Sequence, residues 1–103
     1  MQFDHIGVPA GAKRDGMRFL ESKRLWLTSP EDHPYRVEWL WYEPDSPEAE
    51  LIRTTPHVAY VVESLEDAMA GKKMIAEPFD VFDEVRVSFI EVDGAPIEFV
   101  QRL

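Results

Sequence analysis

Two histidines and two glutamates stand where their neighbours give them little to do. Glu38 lies in residues 35–43, a run rich in Val, Trp and Tyr. Side chains alternate across a strand, so Glu38 shares a face with Leu40 and Tyr42, while Val37, Trp39 and Trp41 take the other. Glu98 is flanked by Ile97 and Phe99 and shares its face with Pro96 and Val100. Burying a lone carboxylate is costly, so such groups are paired, protonated or bound to a metal. His5 shares its face with Phe3 and Gly7, and His57 with Ala59 and Val61. Two imidazoles and two carboxylates on four separate strands suit a divalent ion, with waters completing an octahedron. His5, Glu38, His57 and Glu98 are thus candidate metal ligands, and Leu40, Tyr42, Ala59 and Val61, which share their faces, would line the adjoining space.

Each of the four also has a plainer reading. His5 would serve as a satisfied core histidine, and His57, following Pro56, as a capping or surface residue. Glu38 could pair with Arg36 or Arg86, and Glu98 could be a solvated edge residue. No His-x₃-His or other local metal motif singles them out, so only a fold that joins the strands decides between the readings.

Composition narrows the chemistry. There is no cysteine, which removes disulfides and thiolate ligands and leaves nitrogen and oxygen donors for any metal. The formal charge is −9, and the cations Lys13, Arg14, Lys23, Arg24, Lys72 and Lys73 are scattered, so nucleic acid is not an expected partner. Five dispersed glycines match no phosphate-binding loop. The start of the chain shows neither a basic region nor a long apolar stretch, so no signal peptide or membrane span is expected and a cytoplasmic location is the default.

The elements that must position these residues follow from pattern. Length bounds the chain to one domain over residues 1–103. Strands are expected at residues 3–9, 25–28, 35–43, 57–62, 85–92 and 96–101, with an edge strand at 74–76. A helix is expected over residues 12–22, weakened by Gly16, and another opened by Ser46 as N-cap and Pro47. Ser64 and Asp67 form a capping box for a third helix that Gly71 closes, and Asp93-Gly94 signals a hairpin. The second half restarts the first: residues 55–62 echo residues 2–9, and each half ends on a Glu among apolar residues. The His-to-Glu interval is 33 residues in the first half and 41 in the second. That difference predicts a first half short of one strand and a turn.

The segments 4–8, 37–47, 56–65 and 96–101, in that order and spacing, resemble the vicinal oxygen chelate superfamily, which includes glyoxalase I and methylmalonyl-CoA epimerase. The likeness spans nearly the whole chain. It implies an α+β fold of two βαβββ-like modules, the first truncated, at about residues 1–54 and 55–103, which form a cupped mixed sheet. The resemblance implies a metal held by the first and last strand of each module, again His5, Glu38, His57 and Glu98. The ion would be zinc, nickel, cobalt, manganese or iron. The implied activity is isomerisation, epimerisation or lyase chemistry on a small oxygen-rich metabolite through a metal-stabilised enolate, with Glu98 and Glu38 moving the proton. A homodimer is implied as well. The runner-up is a metal-free binding or resistance protein of the same superfamily, favoured by the expected missing strand. Ring-cleaving dioxygenases of the superfamily use two His and one Glu with iron(II), so a fourth protein donor leans away from them.

Overall fold

The computed structural model describes residues 1–103 as one eight-stranded curled sheet with two short helices. The first module holds β1 (Gln2–Pro9), β2 (Arg18–Leu20), β3 (Leu25–Leu27) and β4 (Val37–Tyr42). The linker helix α1 (Glu50–Thr54) follows. The second module holds β5 (His57–Val61), α2 (Leu65–Met69), β6 (Met74–Val81), β7 (Val85–Val92) and β8 (Ala95–Arg102). The strands run in the order β2-β3-β4-β1-β5-β8-β7-β6. Each module is thus the same four-strand arrangement, and β1 and β5 meet antiparallel at the seam. No helix is long and apolar enough to cross a membrane.

The first module is truncated, but not where the interval suggested. All four strands are present, so the expected loss of a strand is overturned. The shortfall lies in β2 and β3, of three residues each against eight in β6 and β7, and in a missing helix. Residues 12–22 do not form that helix. Gly16 sits at φ +82, a left-handed conformation no helix interior accepts. The apolar residues after it pair as a hairpin, Arg18 opposite Leu27 and Leu20 opposite Leu25. Ser46 is not the cap of α1 either: Ala49 holds that position, and the Ser46 hydroxyl donates to the Lys23 carbonyl at 2.6 Å.

The second module follows its sequence closely. The Ser64 hydroxyl accepts from the Asp67 amide at 3.2 Å, as a capping box requires. Asp93 and Gly94 both have positive φ, 52 and 84, as a tight hairpin turn demands. The strand β6 runs to Val81, well past the expected Ala76. Helix α2 lays Leu65 on Ile90 and Phe99 of the convex face. On the concave face Val87, Phe89 and Val100 gather with Ala59 and with Ile52 of the linker helix. Leu20, Leu25, Leu27 and Leu40 form the first-module wall, against which Phe79, Val81 and Phe82 pack from the far end of the sheet. The curl therefore closes on itself: Arg18 of β2 reaches Glu84 beyond β6 at 2.8 Å. One chain supplies every wall of the cup.

Candidate metal centre

The four residues meet at the floor of the cup because the register of each module repeats. In the first, Gly7, two residues past His5, stands opposite Glu38. In the second, Ala59, two residues past His57, stands opposite Glu98. Across the seam Gly7 pairs with His57 and Ala59 with His5, so each histidine faces the small residue of the other module. The two small positions are not equivalent in space. A Cβ on Gly7 would lie 2.1 Å from Cε1 of His57, so glycine is what lets that ring lie against the strand.

The resulting distances are short. His5 Nε2 lies 3.1 Å from Glu98 Oε1 and 3.4 Å from Glu38 Oε1, and His57 Nε2 lies 3.1 Å from the same Glu98 oxygen. His5, Glu38 and His57 offer donor atoms all within 4.8 Å of one another. The imidazoles stand edge-on to each other with centroids 5.7 Å apart, and Phe89 meets His57 edge-on at 5.0 Å. His5, His57 and Glu98 are buried, and the Glu38 side chain keeps 12 % of its surface.

The plainer readings lose their partners here. Arg36 is engaged by Asp4 and Arg86 by Asp80, so neither serves Glu38. Glu98 lies on β8 between β5 and β7, away from any sheet edge. His5 is only half satisfied: Nδ1 holds Asp4 at 2.7 Å, while Nε2 is buried without a hydrogen bond of proper geometry to either nearby carboxylate. Two carboxylate oxygens converge on this nitrogen, so positive charge belongs there, supplied by a proton on His5 or by a bound cation. The donor set of two imidazoles and two carboxylates fits a divalent ion with nitrogen and oxygen preference.

Electrostatics carry the same demand. Burial, the strongest single influence, opposes a charge on His5, yet Asp4, Glu38 and Glu98 together push its pKa up to about 12. Burial likewise opposes ionisation of Glu98, but the His5 and His57 rings beside it bring it down to about 2. In Glu38 burial prevails over the pull of His5, and its pKa is raised. The two carboxylates are thus driven apart, one towards holding a proton and one towards releasing it.

A cavity of about 330 Å³ opens above this floor. Its walls are Leu25, Leu27, Leu40, Phe79, Val81 and Phe82, with Tyr42 near the floor and Arg18 and Arg102 at the mouth. Leu40 and Tyr42 border it; Ala59 and Val61 do not. Ala59 shares the floor face, but its methyl is fully covered within the core. Val61 sits at the far end of β5 beside Gln2 and borders a separate surface depression. Sequence reasoning missed Asp4, because strict alternation points it away from His5. A bulge between Phe3 and His5 turns it inward and leaves Phe3 exposed, so Phe3 does not share the His5 face. Gly7 was placed on the right face without a role. Its only signal was a glycine inside a strand, which often marks a close approach.

No protein-family model matches the chain, and no curated protein sequence does. Solved structures do match. A hypothetical protein from Bacillus halodurans C-125 superposes with a TM-score of 0.67 at 22 % identity, over 99 % of this chain and 94 % of that one. Methylmalonyl-CoA epimerase from Mycobacterium tuberculosis superposes with a TM-score of 0.65 at 17 % identity, over 99 % and 88 %. At these identities the likeness is one of architecture: the chain has the fold of methylmalonyl-CoA epimerase.

Proposed function

We propose that this chain is a divalent-metal-dependent enzyme of the vicinal oxygen chelate superfamily that moves a proton beside a carbonyl of a small oxygen-rich metabolite. Isomerisation, epimerisation and elimination all begin with such a step. The observation that carries the reading is His5 Nε2, buried without a hydrogen bond yet 3.1 and 3.4 Å from two carboxylates. His5, Glu38, His57 and Glu98 would hold the ion. A divalent cation there supplies positive charge for the negative charge that develops on a substrate oxygen.

The chain's own groups do the rest. Glu38 Oε1, whose pKa burial raises, is the acceptor and carrier of the substrate proton. Glu98 stays ionised between the two imidazoles. Burial and the charges of Glu48, Glu98 and Glu38 keep the Tyr42 phenol protonated, so its O–H can donate to an oxygen in the cavity. The apolar walls exclude water, which strengthens each of these interactions. A second reading, a metal-free small-molecule binder, drew its support from a missing strand, and all eight strands are present.

Metal content of the untagged protein, measured beside Glu98→Ala and His57→Ala, tests the reading. A stoichiometric divalent ion retained by the parent and lost by both variants is expected. Methylmalonyl-CoA in D2O is the first substrate to try, with deuterium at the α-carbon as the readout. Failure to take up zinc, nickel, cobalt or manganese would sink the ligand set and leave the binding protein as the better account.

A further inference from the structure

The two histidines are held in different ways. His57 packs against Gly7 and Phe89 and meets Glu98 through Nε2 at 3.1 Å, but its far nitrogen, Nδ1, is buried with no partner. His5 Nδ1 meets the Asp4 carboxylate at 2.7 Å. Asp4 reaches it only because the extra residue of the β1 bulge turns its side chain to the buried face. Pro56 precedes His57 and offers no such group.

Asp4 is itself gripped. Arg36 donates through Nε to the Asp4 carbonyl at 2.8 Å and through Nη2 to Oδ1 at 3.1 Å, and Arg102 approaches the same oxygen at 3.6 Å. Arg36 delivers this two-pronged contact from a left-handed backbone, φ 61, that a long side chain adopts only when its surroundings impose it. Two cations flank the carboxylate, and the ring it holds can turn only one nitrogen towards the cup.

We propose that Asp4, clamped by Arg36 and Arg102, is a positioning residue that fixes the His5 ring with Nε2 facing the floor of the cup, so that the first-module half of the site is built before any ligand arrives. A carboxylate on the far nitrogen of a metal-binding imidazole orients it and raises its basicity. For its affinity arm the proposal rests on the metal reading above; for its geometry it does not.

Nitrogen-15 labelled protein gives a test with two independent readouts. The His5 Nδ1–H proton should resonate far downfield and exchange slowly, with or without zinc. In Asp4→Ala that signal should vanish and zinc affinity should fall by about 10- to 100-fold. Asp4→Asn, which keeps an acceptor oxygen without the charge, should fall between the two. A merely structural role would lower the melting temperature and leave zinc affinity unchanged. Absence of the slow Nδ1–H in the parent protein, or parental zinc affinity in Asp4→Ala, overturns the proposal. If the parent binds none of zinc, nickel, cobalt and manganese, the metal reading fails, and the Nδ1–H signal still decides the role of Asp4. Should Asp4→Ala not fold, Arg36→Lys decides: faster Nδ1–H exchange supports the clamp, and an unchanged rate refutes it.

Discussion

The first module builds its half of the centre with charge, and the second builds its half with packing. Around His5 stand Asp4, Arg36 and Arg102; around His57 stand Gly7, Phe89 and a nitrogen with no partner. The convex faces differ in the opposite sense. Helix α2 buries Phe99 to 5 % exposure in the second module. Trp39, its counterpart in the first, has no helix over it; Arg14 stacks there at 3.8 Å, and Lys13 lies 4.2 Å over Trp26. A module that lost its helix thus covers its aromatics with a loop carrying two cations. Equivalent register does not require equivalent support: the sheet brings the four residues together, and different neighbours orient each ring.

That contrast can be broken at several points. The largest effect should come from Leu65→Ala, which removes the anchor of α2 and should cost about 3 kcal/mol in denaturant unfolding. Gly7→Ala should cost about 2 kcal/mol through overpacking and, more tellingly, displace His57 and abolish metal uptake. Its pseudo-equivalent Ala59→Gly should leave metal binding intact in the same calorimetric titration.

Next comes pH. The pKa of His5 is raised from 6.5 to about 12, so its stabilisation is complete below the lower value and lost as pH rises towards the higher. Metal-free protein should therefore weaken on the alkaline side, by at most about 1.4 kcal/mol per pH unit from this group. Bound metal should flatten that slope, as thermal melts across the range would show. On the acid side Glu98, lowered from 4.5 to about 2, contributes stability above the first value that fades as pH falls through the second. The smallest effect should be Arg14→Ala, about 0.5–1 kcal/mol from the lost stacking on Trp39. A larger loss would mean that the loop bears more of the module than the cations alone explain.

Much of this was legible in the sequence. Glu38 and Glu98 announced themselves as charges on apolar strands, and the capping box at Ser64 and the turn at Asp93-Gly94 are local signals that the fold respects. What failed was non-local. The apolar spacing of Met17, Phe19 and Leu20 fits a helix as well as a hairpin, and only pairing with β3 decides for the strand. A difference in interval length counts residues without saying which element they left. Asp4 was hidden by a bulge, which breaks alternation at the one position where it matters. The cavity walls Phe79, Val81 and Phe82 come from the far edge of the curl, and no sequence pattern joins them to Leu25.

The β1–β5 seam has a consequence for how the chain becomes competent. Within each module the strands pair among themselves, and the β1–β5 ladder is the only one that joins the two modules. Neither half alone carries more than two of the four donors. An ion that needed all of them would recognise only docked halves and would act as a clasp across the seam. At a hundredfold excess over its Kd such a clasp adds about 2.7 kcal/mol to the docked state. Metal supply would then govern how long the molecule survives as well as what it does.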